Sequence, residues 1–161
     1  MKTLLLTIAL AASTACVGIA DHHEKGEKLD AAKADVKITI TGNDAMQYDK
    51  KEFSVTSGQV VALTFKNIGA LPKEAMGHNV VILKPDTKIP DFAMAGMTNR
   101  PTFLPKEEKW LKAIIAKTKI LGPKEEETIV FRAGDAGVYP YVCTFPGHFG
   151  VMQGKMTVKK K

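Results

Sequence analysis

The segment from residue 139 to residue 154 constrains the chain most, because three side chains that bind metals lie close together on it. Cys143, His148 and Met152 follow one another at intervals of five and four residues. A proline and a glycine between the cysteine and the histidine let the chain turn there, so that all three side chains can face one ion. A thiolate, an imidazole and a thioether form a soft ligand set, the kind that selects copper.

A histidine further upstream can complete this set. His78 precedes the apolar run 80–83, which predicts a β-strand with the imidazole at its start. Gly77 has no side chain, so its carbonyl group can approach an ion closely. Taken singly, a cysteine in an apolar strand is usually an inert core residue, and a histidine in a turn is usually only solvated. Together, two imidazoles, a thiolate and a weak axial methionine form the ligand set of blue-copper electron-transfer sites.

The same residues carry a resemblance to a known family. Met-Gly-His-Asn at residues 76–79 and the segment from Cys143 through Met152 to Gly154 resemble the azurins, which are bacterial blue copper proteins of the cupredoxin family. Shorter matches lie at residues 42–47, 71–73 and 115–122. The resemblance covers roughly residues 36 to 159, and it implies the cupredoxin fold and a role in electron transport.

The resemblance also implies a role for each matching residue. It assigns the three equatorial copper ligands to His78, Cys143 and His148, a long axial bond to Met152 and a weak fifth contact to the Gly77 carbonyl group. Asn79 and Thr144 match positions that tie the two ligand loops together. The backbone N–H groups of Asn79 and Phe145 would point at the cysteine sulfur and help to set the reduction potential. At the positions of the azurin disulfide this chain has Val36 and Gly58, so that bridge is absent.

The remaining chain predicts an all-β protein, a Greek-key β-sandwich of the cupredoxin type with one helical insertion near residues 105–117. Short runs with period-two alternation or β-branched residues predict strands at 36–41, 53–56, 60–66, 78–83, 126–132, 138–143 and 153–159. Pro105 suits the first turn of a helix that runs to about Lys117. Trp110, Ala113 and Ile114 share one face of this predicted helix, and the tryptophan is expected to pack the helix onto the sheet.

The N-terminus predicts export from the cytoplasm. A charged start and the apolar run 4–12, which is too short to span a bilayer, are typical of a secretory signal at residues 1–20 with cleavage before Asp21. Residues 21–35 are rich in charge and predict a flexible segment or a frayed helix, followed by a copper-binding domain at 36–161. Acylation at Cys16 is the alternative processing. The predicted location is periplasmic, where Cys143 has no second cysteine with which to form an internal disulfide.

Cleavage before Asp21 creates a possible second copper site. The mature chain would start Asp21-His22-His23. A free amine with a histidine in third place can bind Cu(II) in a square plane through the amine, two amides and the imidazole. The alternative is that these histidines are only solvated.

The formal charge of +6, which becomes +5 without Lys2, gives no indication of a nucleic-acid partner, since no run of basic residues is interleaved with aromatic ones. The expected partners are redox proteins, such as c-type cytochromes or reductases.

The ring edge of His148 should reach the surface, and His78 should lie deeper. The azurin positions that form an apolar patch around His148 correspond here to Met46, Leu71, Ala75, Met76, Phe145, Pro146 and Val151, with Met97 as a further candidate. We call these residues the docking patch.

The ligand set predicts a carrier rather than an enzyme. No Ser-His-Asp set, paired-carboxylate motif or phosphate loop is found, and catalysis at copper needs an open coordination position, whereas the protein would fill every position here. The predicted function is a one-electron carrier that holds one type 1 copper ion per chain and cycles between Cu(II) and Cu(I). Two alternatives are a periplasmic copper chaperone or store, and a redox-inactive binding module that holds zinc.

Overall fold

The computed structural model describes residues 29–161. The predicted signal peptide, Cys16 and the Asp21-His22-His23 motif lie outside the described residues. Nine strands and three short α-helices follow a 3-10 helix at Ala31–Lys33. The strands are β1 (Val36–Asn43), β2 (Gln47–Tyr48), β3 (Glu52–Thr56), β4 (Val60–Asn67), β5 (Val81–Leu83), β6 (Ile114–Lys117), β7 (Glu126–Arg132), β8 (Gly137–Val142) and β9 (Gln153–Lys159). The helices are α1 (Lys73–Met76), α2 (Ile89–Gly96) and α3 (Glu108–Leu111).

The strands form two sheets that pack on each other, which confirms the predicted all-β sandwich. One sheet has the order β2-β1-β4-β7, and the other has the order β3-β9-β8-β5-β6. The pairs β1–β4 and β3–β9 are parallel, and the remaining pairs are antiparallel. The core between the sheets contains fully buried side chains from both, among them Ile40, Leu63, Phe65, Ile82 and Met156.

Strand β5 is buried on both faces. A second apolar cluster, which includes Val81, Leu83 and Phe92, covers the outer face of its sheet. Burial on both sides explains why the run 80–83 is apolar without alternation. His78, which was predicted to begin this strand, lies before it and pairs with Leu121 through a single β-bridge.

The predicted helix at 105–117 is wrong in its extent. Only Glu108–Leu111 is helical, and Ile114–Lys117 forms strand β6 on β5. A short apolar run does not separate helix from strand by period alone, and pairing with β5 provides hydrogen-bond partners for the β-branched residues at a sheet edge. The longest helix within residues 29–161 is α2, Ile89–Gly96. Pro90 lies in its first turn, where no N–H donor is needed.

Trp110 packs inward as predicted, although its helix is short. Its ring meets that of Phe92 edge to face, with 5.9 Å between the ring centres. The tryptophan therefore joins α3 and α2 over the outer face of the sheet.

The N-terminal segment meets the sandwich before β1. The carboxylate of Asp35 accepts a hydrogen bond of 2.7 Å from the N–H group of Val60. The flexibility of residues 21–35 and the domain limits at 20 and 36 stay predictions.

Candidate metal centre

Two separate loops bring the predicted ligands to one end of the sandwich. His78 is held by its bridge to Leu121, with N–H to carbonyl distances of 3.0 and 2.7 Å in the two directions. Cys143 directly follows β8, and His148 and Met152 lie in the turn that leads to β9. Rigid strands therefore fix both ends of the ligand segment.

Backbone hydrogen bonds close the ligand loop on itself. The N–H group of His148 donates to the Phe145 carbonyl at 3.0 Å, and that of Met152 donates to the His148 carbonyl at 2.8 Å. The N–H group of Cys143 donates to the Met152 carbonyl at 3.0 Å. Gly147 has φ of 84°, a left-handed conformation that favours glycine. The turn inferred from the sequence is confirmed, and it brings the thiol, the imidazole and the thioether together.

The donor atoms fit one metal ion. The Sγ atom of Cys143 lies 3.6 Å from Nδ1 of His148 and 4.0 Å from Nδ1 of His78. The three donor atoms all lie within 4.8 Å of one another. If metal–nitrogen and metal–sulfur bonds are taken as about 2.0 and 2.3 Å, as in zinc sites, two donors at trigonal angles are about 3.7 Å apart. The observed spacing agrees with that value. Met152 lies close to these three side chains.

Two glycines leave room for this packing. A Cβ atom at Gly42 would lie 2.7 Å from the Cε atom of Met152, so a larger residue would displace the thioether. A Cβ atom at Gly77 would lie 2.5 Å from the Cγ2 atom of Ile120 and 2.7 Å from the Lys73 carbonyl oxygen. The absence of a side chain at residue 77 is therefore required by the packing of the loop itself. A contact from its carbonyl group to a metal stays a prediction.

Burial sets the protonation of the donor groups. It lowers the pKa of His148 to about 4, with a smaller contribution from the neighbouring His78. Burial also lowers the pKa of His78. The carbonyl group of Asn43 and the charge of Asp44 raise this pKa, but their effects are smaller than that of burial. Both imidazoles are therefore neutral near neutral pH, the form that binds metals.

The thiol needs a metal to ionise. Burial raises the pKa of Cys143 to about 12, although the backbone N–H groups of Asn79 and Phe145 favour the thiolate. The resemblance implied that these same two N–H groups point at the sulfur. Cys143 is the one free cysteine among residues 29–161 and is fully buried. A bound cation would lower this pKa, because a coordinating thiol loses its proton.

Hydrogen bonds next to the ligands confirm one predicted contact and add another. Asn79 and Thr144 are joined by two hydrogen bonds of 2.9 Å. Tyr48 was not identified from the sequence: its buried hydroxyl donates to the carbonyl group of Asn79. The signal available was its place soon after the matched segment 42–47. Tyr48 thus links the His78 loop to β2.

Aromatic side chains extend from the centre toward one edge of the sandwich. The ring of Phe145 lies 4.7 Å from that of His148, centre to centre, and 5.3 Å from that of Phe103. Arg100 lies over the far ring, 5.6 Å from its centre. The sequence alone gave no reason to select Phe103 or Arg100.

The docking patch is only partly exposed. Leu71, Met97 and Val151 keep 44%, 40% and 57% of their surface, and Phe145 keeps 9%. His148 keeps 3% and His78 keeps 0%. The order of depth is the one expected, but the edge that His148 presents to solvent is small.

Comparison with known proteins agrees with this centre. A family model described as "Copper binding proteins, plastocyanin/azurin family" matches residues 34–159. This chain belongs to the plastocyanin/azurin family. Azurin-1 of Alcaligenes xylosoxydans xylosoxydans is 35% identical over 128 residues, which cover 75% of this chain and 95% of that protein. Auracyanin-A of Chloroflexus aurantiacus is 30% identical over 162 residues, 98% of this chain and 96% of the relative.

Solved structures give the same family. Auracyanin from Roseiflexus castenholzii, in a form reduced with dithionite, matches with a TM-score of 0.68 and 37% identity over 78% of this chain and 98% of the other. Family membership and the donor set together identify the cofactor as copper in a type 1 centre. Within residues 29–161, no helix has the length and apolar character that a membrane span needs.

Proposed function

We propose that this protein is a one-electron carrier of the periplasm, in which the side chains of His78, Cys143, His148 and Met152 would hold a copper ion and the Gly77 carbonyl group would make a weaker contact with it. The observation that supports it most is the closed, buried donor set. The three donor atoms converge, and the ligand side chains keep between 0% and 3% of their surface. No room is left for a substrate at the metal, which favours a carrier over an enzyme.

When bound, copper supplies the one-electron couple between Cu(II) and Cu(I). The protein holds the ligands in one arrangement. Cys143 follows a strand directly, His78 is bridged to Leu121, and the amide of Asn79 joins the two loops. Ligands that move little between redox states keep the reorganisation small, so electron transfer in either direction is fast.

The expected route for electrons passes through His148. Of the two histidines that would hold copper, His148 is the one with residual exposure, and its ring packs against Phe145 of the docking patch. An apolar surface rimmed by polar residues is typical of a transient interaction site. We propose that c-type cytochromes or reductases dock there, close enough to the imidazole edge for transfer and weakly enough to leave.

A copper chaperone or store remains the alternative function, but no observation favours it. Rapid release of copper would need exposed ligands, and the four side chains proposed here are all buried. A thiolate held between two strands favours retention of the metal.

One experiment separates the two functions. The mature protein, loaded with Cu(II), is mixed with reduced c-type cytochrome in the presence of a strong Cu(I) chelator. The proposal predicts rapid oxidation of the haem while copper stays with the protein. Rapid appearance of the coloured Cu(I)–chelator complex, without haem oxidation beyond that given by free Cu(II), would support the copper-handling function instead.

A further inference from the structure

A cleft lies at the edge of the sandwich, on the side of Phe145 away from the metal ligands. Its larger part has a volume of about 310 Å³, with an apolar lining that includes Pro101, Leu104 and Ile120. A smaller part of about 180 Å³ shares Pro101 and Ile120 and reaches the rings of Phe103 and Phe145. Volumes of this size with mostly apolar walls are typical of small-molecule sites.

The rim of this cleft is positively charged. Lys73, Lys117 and Lys119 line the larger part, and no carboxylate does. Arg100 lines the smaller part together with one acidic residue, Glu74. Four cations thus surround an apolar floor.

These cations are only partly neutralised by the protein. Lys73 and Lys119 reach Glu125 and Glu127 at 3.1 and 3.9 Å, and their own side chains are 43% and 80% exposed. Both carboxylates line a neighbouring cavity of about 370 Å³, which shares Lys73, Lys119 and Ile120 with the larger part of the cleft. Neither Lys117 nor Arg100 has an ion-pair partner within the part of the chain that the structure describes. At least two cations therefore face the cleft without an ion-pair partner among the described residues, although Glu74 lines the smaller part beside Arg100.

We propose that this cleft binds a small amphipathic organic anion, with an aromatic or branched aliphatic body and a carboxylate or sulfonate group. The apolar body would displace water from Leu104, Ile120 and the phenylalanine rings, the source of most of the affinity. The anionic group would remain at the rim near Lys117 and Arg100, where charge attraction fixes its orientation. A neutral molecule of the same shape lacks the charge attraction and should therefore bind more weakly.

The cleft is connected to the metal centre through two rings. A ligand in the smaller part touches Phe103 and Phe145, and Phe145 packs on His148 at 4.7 Å between ring centres. Occupancy of the cleft is therefore reported at the metal centre, although the ligand would not touch the metal. The site itself consists of protein groups alone and does not depend on the electron-carrier function.

The test uses the mature full-length protein in two forms, one metal-free and one loaded with diamagnetic Cu(I). The probe is 1-anilinonaphthalene-8-sulfonate. Its fluorescence gives the Kd, and amide chemical shifts give the location. The proposal predicts saturable binding, with shifts at residues 100–104 and 117–120 and at Phe145. The neutral analogue N-phenyl-1-naphthylamine should bind about fivefold more weakly or worse, as expected for loss of a partly exposed charge attraction.

Three variants make the test specific. The double change Lys117→Gln with Arg100→Gln should weaken probe binding about fivefold. The matched control, Lys37→Gln with Lys155→Gln, removes two exposed lysines that line neither part of the cleft, and the Kd should stay unchanged. Thr102→Trp places a large ring on the lining of the larger part and should abolish binding without changing the charge.

Several results would overturn the proposal. These are shifts confined to the docking patch around Leu71 and Val151, an equal loss of affinity in the control double variant, full binding by Thr102→Trp, or no saturable binding at all. None of these readouts depends on the colour of the Cu(II) protein. Failure of the cleft proposal and failure of the electron-carrier proposal are therefore distinguishable.

Discussion

Asn79 and Thr144 hold the two ligand loops together through a pair of hydrogen bonds. The Nδ2 group of Asn79 donates to the Thr144 hydroxyl, and the Thr144 N–H group donates to Oδ1 of Asn79, both at 2.9 Å. Each residue is next to a proposed ligand, His78 on one loop and Cys143 on the other. Both side chains are buried, with 1% and 2% of their surface exposed. The relative position of the two ligands therefore depends on this pair.

Removing the amide should destabilise the protein more than removing the hydroxyl. Asn79→Leu leaves the N–H and hydroxyl groups of Thr144 buried without partners, so the free energy of unfolding should fall by about 2 kcal/mol. Thr144→Val keeps the hydrogen bond from the backbone N–H group to Asn79 and loses only the hydrogen bond to the hydroxyl. The free energy of unfolding should therefore fall by about 1 kcal/mol. Urea unfolding of the metal-free variants measures both values. Equal losses, or none, would mean that the pair does not join the loops in solution.

The stability of the metal-free protein should depend on pH through His148. Its pKa falls from 6.5 in the unfolded chain to about 4 in the fold, where burial disfavours the charged form. As pH falls from 6.5 toward 4, the unfolded chain binds a proton that the folded chain does not. The free energy of unfolding therefore decreases across this range, by at most about 3 kcal/mol.

Urea unfolding at several pH values between 4 and 7 measures this dependence. His148→Gln is the control, because it removes the titrating imidazole, and its slope in this range should be shallower than that of the wild type. An identical slope in the two proteins would show that other groups cause the pH dependence.

Met152→Leu should tune the copper centre rather than abolish it. Leucine fills the space beside Gly42 but donates no electrons, and loss of a weak axial donor disfavours Cu(II). The protein should remain blue, and its reduction potential should rise by on the order of tens of millivolts. Voltammetry of the purified variant gives the value. An unchanged potential would place the thioether away from the metal.

Leu71→Asp tests the docking patch. The side chain is 44% exposed and lies outside the ligand set, so copper binding, colour and potential should stay close to wild type. Electron self-exchange should slow by about tenfold or more, since two carboxylates must be desolvated face to face.

Val138→Asp is the matched control for this change. Val138 is similarly exposed, at 49%, and lies near the start of β8, the end away from Cys143. Self-exchange in this variant should match wild type. If Val138→Asp slows self-exchange and Leu71→Asp does not, electrons do not pass at His148.

The metal centre could be predicted from the sequence because most of its donor groups lie close together along the chain. Three donors lie on one loop, and the fourth precedes an apolar run whose β-branched residues favour a buried strand. The extent of the helical insertion could not be predicted in the same way. Ile114 fits a helix face and an edge strand equally well, and only its pairing with β5 decides between them. The contacts of Tyr48 and Phe103 also escaped prediction, since they join residues far apart in the chain and depend on how the two sheets pack.

The visible spectrum of the mature protein loaded with Cu(II) shows whether Cys143 binds copper as a thiolate. A thiolate bound to Cu(II) should give intense absorption near about 600 nm, and Cys143→Ser, which offers a harder oxygen ligand, should lose that band while the protein stays folded. Such a result assigns the copper to the buried set of His78, Cys143, His148 and Met152. A Cu(II)-loaded protein without colour, or a band that persists in Cys143→Ser, would show that Cys143 does not bind copper as a thiolate.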